Sequence, residues 1–343
     1  MRLENILALV NGELLNAPSV TAVENISIKA GRVVRGNLFI AENNSDIHEA
    51  VDNGAYAIIF EDNVPVIDNE IAWIRVVSVK EALLRLMRFH LIEKNLNAFE
   101  CDRVTLKLAK QLHVEEGLYI LDTDIGDSFA KLWNIKEKST VLYDPSLTDR
   151  DLFVSSGKMP ETSVNKISIV EQTLFETSFI ADDIFYERQP LSPFFIPYLS
   201  RLLDFLKTEG IGYRLRPFSR IAHFIPVFTD ASFNIREFGS SSRVLIFEED
   251  LSLITSQISF LNEEAAWAKI IYIVPSPMHE NTGANIYTYE IEDDIIRILK
   301  QNDFHFALIA QQNINLLENP LFKERAVQLT MDFESCKQGA RNE

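Results

Sequence analysis

Hydrophobic residues recur along this chain with two periods. Alternation or a short unbroken apolar run marks strands, and a spacing near 3.6 marks helices. Residues 3–10 read as a short amphipathic helix. Ile26 and Ile28 alternate with polar neighbours, and Val33, Val34, Leu38, Phe39 and Ile40 form a second apolar run around Gly36, giving two short strands with turns at Gly31 and Gly36. Asp46 and Glu49 have the spacing of a helix capping box, Ala50 and Val51 give an apolar face, and Gly54 stands where a helix end calls for positive φ. Residues 55–60 are nearly all apolar, as in a strand covered on both faces. Residues 73–77 are the next expected strand. Ser78 and Glu81 form a second capping box, opening a helix to about residue 92 with Val79, Ala82, Leu83, Leu86 and Met87 inward.

The alternation continues with expected strands at 97–101, 117–121 and 140–143 and helices at 103–112 and 127–132. Residues 144–163, rich in Asp, Ser, Thr, Pro and Gly, read as a long loop. A strand is expected at 167–170, and the strand pattern weakens over 174–186. A helix follows at 197–207, with Leu199, Leu202, Leu203 and Leu206 on one face, Pro197 in its first turn and Gly210 as its stop. Strands at 241–248, 270–274 and 306–310, separated by helices at 251–266 and 291–301, have the order of a parallel sheet. The polar tail 332–343 reads as a frayed end. The expected fold class is multi-domain α/β, divided at 1–95, 96–212 and 213–343.

The order G-x-L-F-I-A, a short helix, then N-G-A-x-A-I-I-F-E over residues 36–61 resembles the N-terminal domain of the Mur ligases, especially those that add the third residue or the terminal dipeptide to UDP-N-acetylmuramoyl-peptides. Val33, Gly36, Leu38, Phe39, Ala41, Ala50, Asn53, Gly54, Ala55 and Ala57 carry the match, which extends loosely over residues 1–93. The resemblance implies a Mur-ligase-like N-terminal α/β domain that holds the uridine diphosphate end of the substrate, a degenerate central region and a C-terminal α/β unit. It also implies a place in cytoplasmic peptidoglycan synthesis.

The family's D-S-R lies in register with Lys29, Ala30 and Gly31, its Pro-Gly-Asp with Arg35, Gly36 and Asn37, and its D-G-H is shortened to Asn43-Asn44-Ser45-Asp46. If the ligand site persists, Arg32, Arg35, Gly36 and Asn37 are its candidates. The family's G-[TS]-x-G-K-[ST] loop would follow, its glycines letting backbone N–H groups approach phosphates that its Lys neutralises. This chain has no glycine from 55 to 116 and places Asp102-Arg103-Val104-Thr105 there. Its one Gly-Lys pair, Gly157-Lys158, has Leu152 for the first Gly and Met159 for the Mg²⁺-binding Ser or Thr. ATP-dependent ligation and a bound cofactor are therefore not expected.

Composition narrows the partners. A formal charge of −17 over 343 residues and a pI near 4.9 disfavour nucleic acid and anionic membrane. Five apolar residues from Ile6 to Val10 are too few for a signal-peptide core, and no apolar run is long enough for a membrane span. Cys101 and Cys336 lie far apart, with no zinc spacing or disulfide framework, which suits a reducing cytoplasm. The six histidines, His48, His90, His113, His223, His279 and His305, include no pair at i, i+4, so no metal site is expected.

Arg214 and Arg216 alternate as on one face of a strand, with Lys207, Arg220 and His223 nearby, and two guanidinium forks suit a phosphate or carboxylate. The plainer expectation is an edge strand pairing with the protein's own acids. Residues 239–242, Gly-Ser-Ser-Ser, resemble an anion nest but precede a strand. Asp122, Asp124 and Asp127 either bind Mg²⁺ at a strand end or cap a helix. Cys101 reads as a buried strand residue. Three functions follow in order: a non-ligating relative that binds a UDP-muramoyl-peptide or a wall-synthesis partner, a ligase or transferase with a rebuilt nucleotide site, and a scaffold without a small ligand.

Overall fold

A computed structural model describes residues 1–123, 125–161, 166–276 and 285–322. Asp124, His279, Cys336 and the tail 332–343 lie outside them. The chain divides into two compact units, Met1–Ser219 and the residues from Arg220 onward.

The first unit begins with α1 (Leu3–Val10), β1 (Glu13–Leu14), β2 (Ile26–Ser27), β3 (Leu38–Ile40), α2 (Ile47–Asp52), β4 (Ala57–Phe60), β5 (Ala72–Arg75) and α3 (Val79–Ile92). The sheet runs β1-β5-β4-β3-β2, with β2 to β5 parallel and β1 antiparallel at one edge. Alternate residues face two cores. Leu38, Ile40, Ala57, Ile59 and Ile74 pack with Ile6 of α1 and Leu83 and Met87 of α3, while Phe39, Ile58, Phe60 and Trp73 pack with Val33, Ile47 and Ala50. Burial on both faces is why β3 and β4 read as unbroken apolar runs.

Gly54 has φ +91°, and a Cβ there would stand 3.2 Å from the Arg35 Cα, so glycine answers both the backbone angle and the close approach. Two expectations are corrected. Val33 and Val34 follow a 3₁₀ turn at Ala30–Arg32 rather than forming strand, and Val34 is 61% exposed. Asp46 ends a second 3₁₀ turn in helical geometry and makes no cap, whereas Ser78 Oγ accepts from the Glu81 N–H at 3.3 Å.

The chain then forms β6 (Asn97–Glu100), α4 (Arg103–Gln111), β7 (His113–Val114), β8 (Leu118–Leu121), α5 (Ile125–Trp133), β9 (Thr140–Tyr143) and β10 (Ser156–Lys158). The order β10-β6-β9-β8 is parallel throughout. β10 corrects the loop expected over 144–163: its three residues are all exposed at the sheet edge, so no apolar pattern marks it. β11 (Ile167–Gln172), β12 (Thr177–Ala181) and β13 (Ile184–Gln189) make an antiparallel sheet. Asp182 and Asp183, at φ 51° and 62°, supply the tight turn of the second hairpin without the usual glycine. α6 (Ile196–Thr208) and β14 (Tyr213–Arg214), antiparallel to β7, complete the unit.

The second unit contains β15 (Ile225–Thr229), β16 (Arg243–Glu248), α7 (Leu251–Glu264), β17 (Ile270–Pro275), β18 (Ile286–Tyr289), α8 (Glu292–Gln301) and β19 (Phe306–Ala310). The sheet order is β15-β16-β19-β17-β18, parallel except for β15. Ile295, Ile296 and Leu299 of α8 cover the face that carries Leu245, Phe247, Ile273 and Ile309. β15 and β18 add strands to those expected.

Candidate functional site

Ligands of parallel α/β sheets gather at the carboxyl ends of the strands. In the first sheet that end opens into a cleft of about 430 Å³ lined by residues that include Asn43, Asn44, Glu61, Asp62, Lys80 and Gly126. Glu61 accepts the Val79 N–H at the start of α3, and Asn44 Nδ2 donates to Asp62 Oδ2 at 3.0 Å. With Glu42 also in the wall, carboxylates outnumber the single Lys80, a charge balance that favours cations over a diphosphate.

The shortened segment after β3 therefore borders this cleft, but Arg35, Gly36 and Asn37 stand at the opposite, amino end of β3. Arg35 Nε donates to Tyr56 Oη at 3.2 Å, the Gly36 N–H donates to the Gly54 carbonyl at 3.2 Å, and the carbonyl of buried Asn37 accepts from Tyr56 N at 2.8 Å. Gly36 has φ +96°, which serves the turn into β3. Arg32 is exposed at the end of its 3₁₀ turn, which Asn53 Nδ2 ties to α2 through the Ala30 carbonyl at 3.0 Å. Among the described residues, neither Arg32 nor Arg35 has a carboxylate partner.

A second cleft, of about 380 Å³, lies at the carboxyl ends of β6, β9 and β10, with Glu100, Cys101, Lys158, Glu161 and Arg201 among its walls. The turn from β6 into α4 is capped by its own acid: Asp102 accepts from Thr105 N at 2.8 Å and from Thr105 Oγ1 at 2.9 Å. Arg201 of α6 donates to the carbonyls of Met159 at 2.7 Å and Pro160 at 3.0 Å, and lies 3.4 Å from Glu161 and 3.9 Å from Asp102. Arg150 grips Glu100 through both oxygens, at 2.7 and 2.8 Å. Arg103 Nε donates to Asp144 at 2.8 Å, and Ser146 N donates to it at 2.8 Å. Burial alone would raise the Asp144 pKa, but these donors outweigh it and hold it below the usual value. Burial, the largest influence, pushes the Cys101 thiol up, which disfavours the thiolate. Lys158 has no ion-pair partner among the described residues.

The basic stretch resolves into separate parts. Arg214 stands directly opposite His113 across β14 and β7, and Arg216 Nη2 lies 2.9 Å from His113 Nδ1. Since a guanidinium only donates, Nδ1 is the acceptor. No acid among the described residues pairs with Arg214 or Arg216, which corrects the expectation of pairing with the protein's own carboxylates. Lys207 instead pairs with Asp182, Arg220 lies over the Phe238 ring at 4.5 Å, and His223 is buried against Glu248.

The serines after Gly239 bond locally, with Ser240 Oγ donating to Glu237 O at 2.7 Å. Asp122 pairs with Lys110, and Asp127 lies within α5. Among the described residues no group of three or more His, Cys, Asp or Glu side chains has the disposition to hold a metal ion, and no helix is long and apolar enough to cross a membrane. Arg150, Arg201 and Glu248 escaped the sequence reading. The only trace of Glu248 is a charge ending an apolar strand run.

No family model matches the chain, and no curated protein matches it. Among solved structures it is similar to MurF from Acinetobacter baumannii, at 10% identity and a TM-score of 0.50, over 94% of this chain and 99% of that one. The UDP-N-acetylmuramoylalanyl-D-glutamyl-2,6-diaminopimelate D-alanyl-D-alanyl ligase from the same organism gives 9% identity and a TM-score of 0.47, over 94% and 98%. MurF ligase from Thermotoga maritima in complex with ADP gives 12% and 0.47, over 86% and 96%. Identities this low speak to fold and not to chemistry. The chain has the multi-domain α/β architecture of a Mur ligase.

Proposed function

We propose that this chain is a Mur-ligase-related protein of peptidoglycan synthesis that binds a UDP-N-acetylmuramoyl-peptide, or a wall-synthesis partner, without ligating at the expense of ATP. Likeness of fold to MurF supports the first half. The second rests on one observation: at the strand-to-helix turn after β6, the Asp102 carboxylate takes the Thr105 N–H, a donor that a phosphate-binding helix start would offer to its ligand. A negative side chain already sits where the anion would arrive. In this reading residues 1–95, 96–212 and 213–343 act as N-terminal, central and C-terminal regions, and the exposed guanidiniums of Arg32, Arg35, Arg214 and Arg216 are the groups for an acidic ligand, none of them matched by a carboxylate of the described residues.

Calorimetric titration of the full chain with UDP-N-acetylmuramoyl-peptide tests this. Binding is expected, weakened several-fold or more by Arg32→Ala with Arg35→Ala, or by Arg214→Gln with Arg216→Gln, since each charge-assisted bond contributes on the order of 1.5–3 kcal/mol. A folded chain that ignores the ligand at millimolar concentration would move the preference to a partner-binding scaffold.

A further inference from the structure

Both clefts described above carry charged side chains in their walls. A cleft of about 310 Å³ in the second unit does not. It lies at the amino ends of β17 and β18, beside the last turns of α7, and its described walls are uncharged, with Ile258, Ile270, Ala266, Asn262, Tyr272 and Asn285 among them. Tyr272 is buried and organises the polar part. Its backbone N–H donates to the Asn285 carbonyl at 2.9 Å, and its hydroxyl donates to Asn262 Oδ1 at 2.7 Å. Asn285 has φ 82°, a left-handed angle that asparagine adopts more readily than most residues. With Oδ1 taken by the phenol, Asn262 keeps both Nδ2 hydrogens for a ligand, and the Asn285 side-chain amide has no hydrogen-bond partner among the described residues. Burial pushes the Tyr272 hydroxyl up to about 12, so no group in these walls changes charge near neutral pH.

We propose that this cleft binds one ring of a neutral saccharide, with hydroxyls on the amides of Asn262 and Asn285 and a C–H face on the side chains of Ile258 and Ile270. Size, charge and polarity each narrow the choice. A cavity of about 310 Å³ is at the small end of ligand pockets, which suits a single ring. Uncharged walls offer nothing to offset the desolvation of a phosphate or an ammonium group, so a charged ligand is disfavoured. A wholly apolar ligand would cover the free amides without giving them partners, whereas sugar hydroxyls both donate and accept. A ring with an apolar face and a hydroxyl edge meets both kinds of wall. Tyr272 acts as a positioning residue, since its hydroxyl is spent on Asn262. The inference is independent of the arginine-based reading above.

The test follows the nitrogen-labelled, alanine- and isoleucine-methyl-labelled full chain by NMR during titration with glucose, galactose and mannose, and separately with glucose 6-phosphate and cyclohexanol. At least one of the neutral sugars, at about millimolar concentration, should shift the Asn262 side-chain amide and the Ala266 and Ile258 methyls along one saturable isotherm. That affinity should hold from low salt to about 0.5 M and from about pH 6 to about pH 9, whereas an anion held by guanidiniums would weaken with salt. Asn262→Asp keeps an acceptor for the Tyr272 hydroxyl but removes the two donor hydrogens, and should weaken the sugar several-fold with the remaining resonances in place. Undiminished affinity in that variant would overturn the proposal. So would the absence of a saturable shift with all three sugars in the unaltered chain, equal affinity for cyclohexanol, or tighter binding of glucose 6-phosphate that salt abolishes. These last three observations need no variant and stand however Asn262→Asp folds.

Discussion

The turns that follow β6 and β16 occupy equivalent places, each at the carboxyl end of a parallel strand and each leading into a helix. Both present a carboxylate where an α/β protein ordinarily receives its ligand. Asp102 is a third exposed, caps α4 and has Arg201 3.9 Å away. Glu248 has no exposure and holds four donors, from His223, Phe224, Asp250 and Gln257, while Asp250 performs the capping of α7 through the Ser252 N–H at 3.0 Å. An acid at this position can thus be a removable cap or a keystone of the interior. Burial and the number of donors decide which.

The largest effect should come from the keystone. Glu248→Ala leaves two backbone N–H groups, an imidazole N–H and an amide without their acceptor, and we expect a loss of about 3–5 kcal/mol, seen as collapsed hydrogen-exchange protection in β16. A loss under about 1 kcal/mol would erase the distinction between the two turns.

Next in size is the acid paired beside the β6 turn. The Asp144 pKa lies below its ordinary 3.8, so its contribution is present above that value and is lost as pH falls through the lower folded-state pKa. Asp144→Asn should cost about 1–2 kcal/mol above about pH 5, with the difference shrinking toward about pH 2. A difference unchanged across that range would show that the carboxylate charge is immaterial.

Removing the cap should matter less. Asp102→Ala should cost about 1 kcal/mol in urea unfolding, and Asp102→Asn, an equivalent cap, close to nothing. Equal losses in both variants would mean that charge toward Arg201, and not capping, is what Asp102 supplies. The smallest effect belongs to Arg214→Gln with Arg216→Gln, both on an exposed ribbon, where stability should change by less than about 0.5 kcal/mol. A larger drop would make the strip structural and unsuited to the ligand role.

How far the sequence foretold this molecule depended on whether an element buries an apolar face. The strands around Leu38–Ile40 and Ala57–Phe60 and the helix Val79–Ile92 are buried and legible, because packing writes its period into the residues. β10 is exposed and left no such trace, and the hairpin at Asp182 and Asp183 uses left-handed aspartates in place of the glycine that signals a turn. Register with a known pattern could not reveal that Arg35–Asn37 stand at the amino end of β3, away from the cleft at its carboxyl end. The charge pairs Glu100 with Arg150 and Arg103 with Asp144 join residues more than a full βα unit apart, so spacing alone carries no record of them.

The central claim is that the strand-to-helix turn after β6 is closed to a phosphate by its own carboxylate, Asp102. Titration calorimetry of the full chain with Mg-ATP, followed by a phosphate-release assay, tests it most directly. The account predicts no saturable heat at millimolar nucleotide and no released phosphate. A saturable isotherm with released phosphate in the unaltered chain, both lost when the residues of the β6 turn are altered, would contradict it.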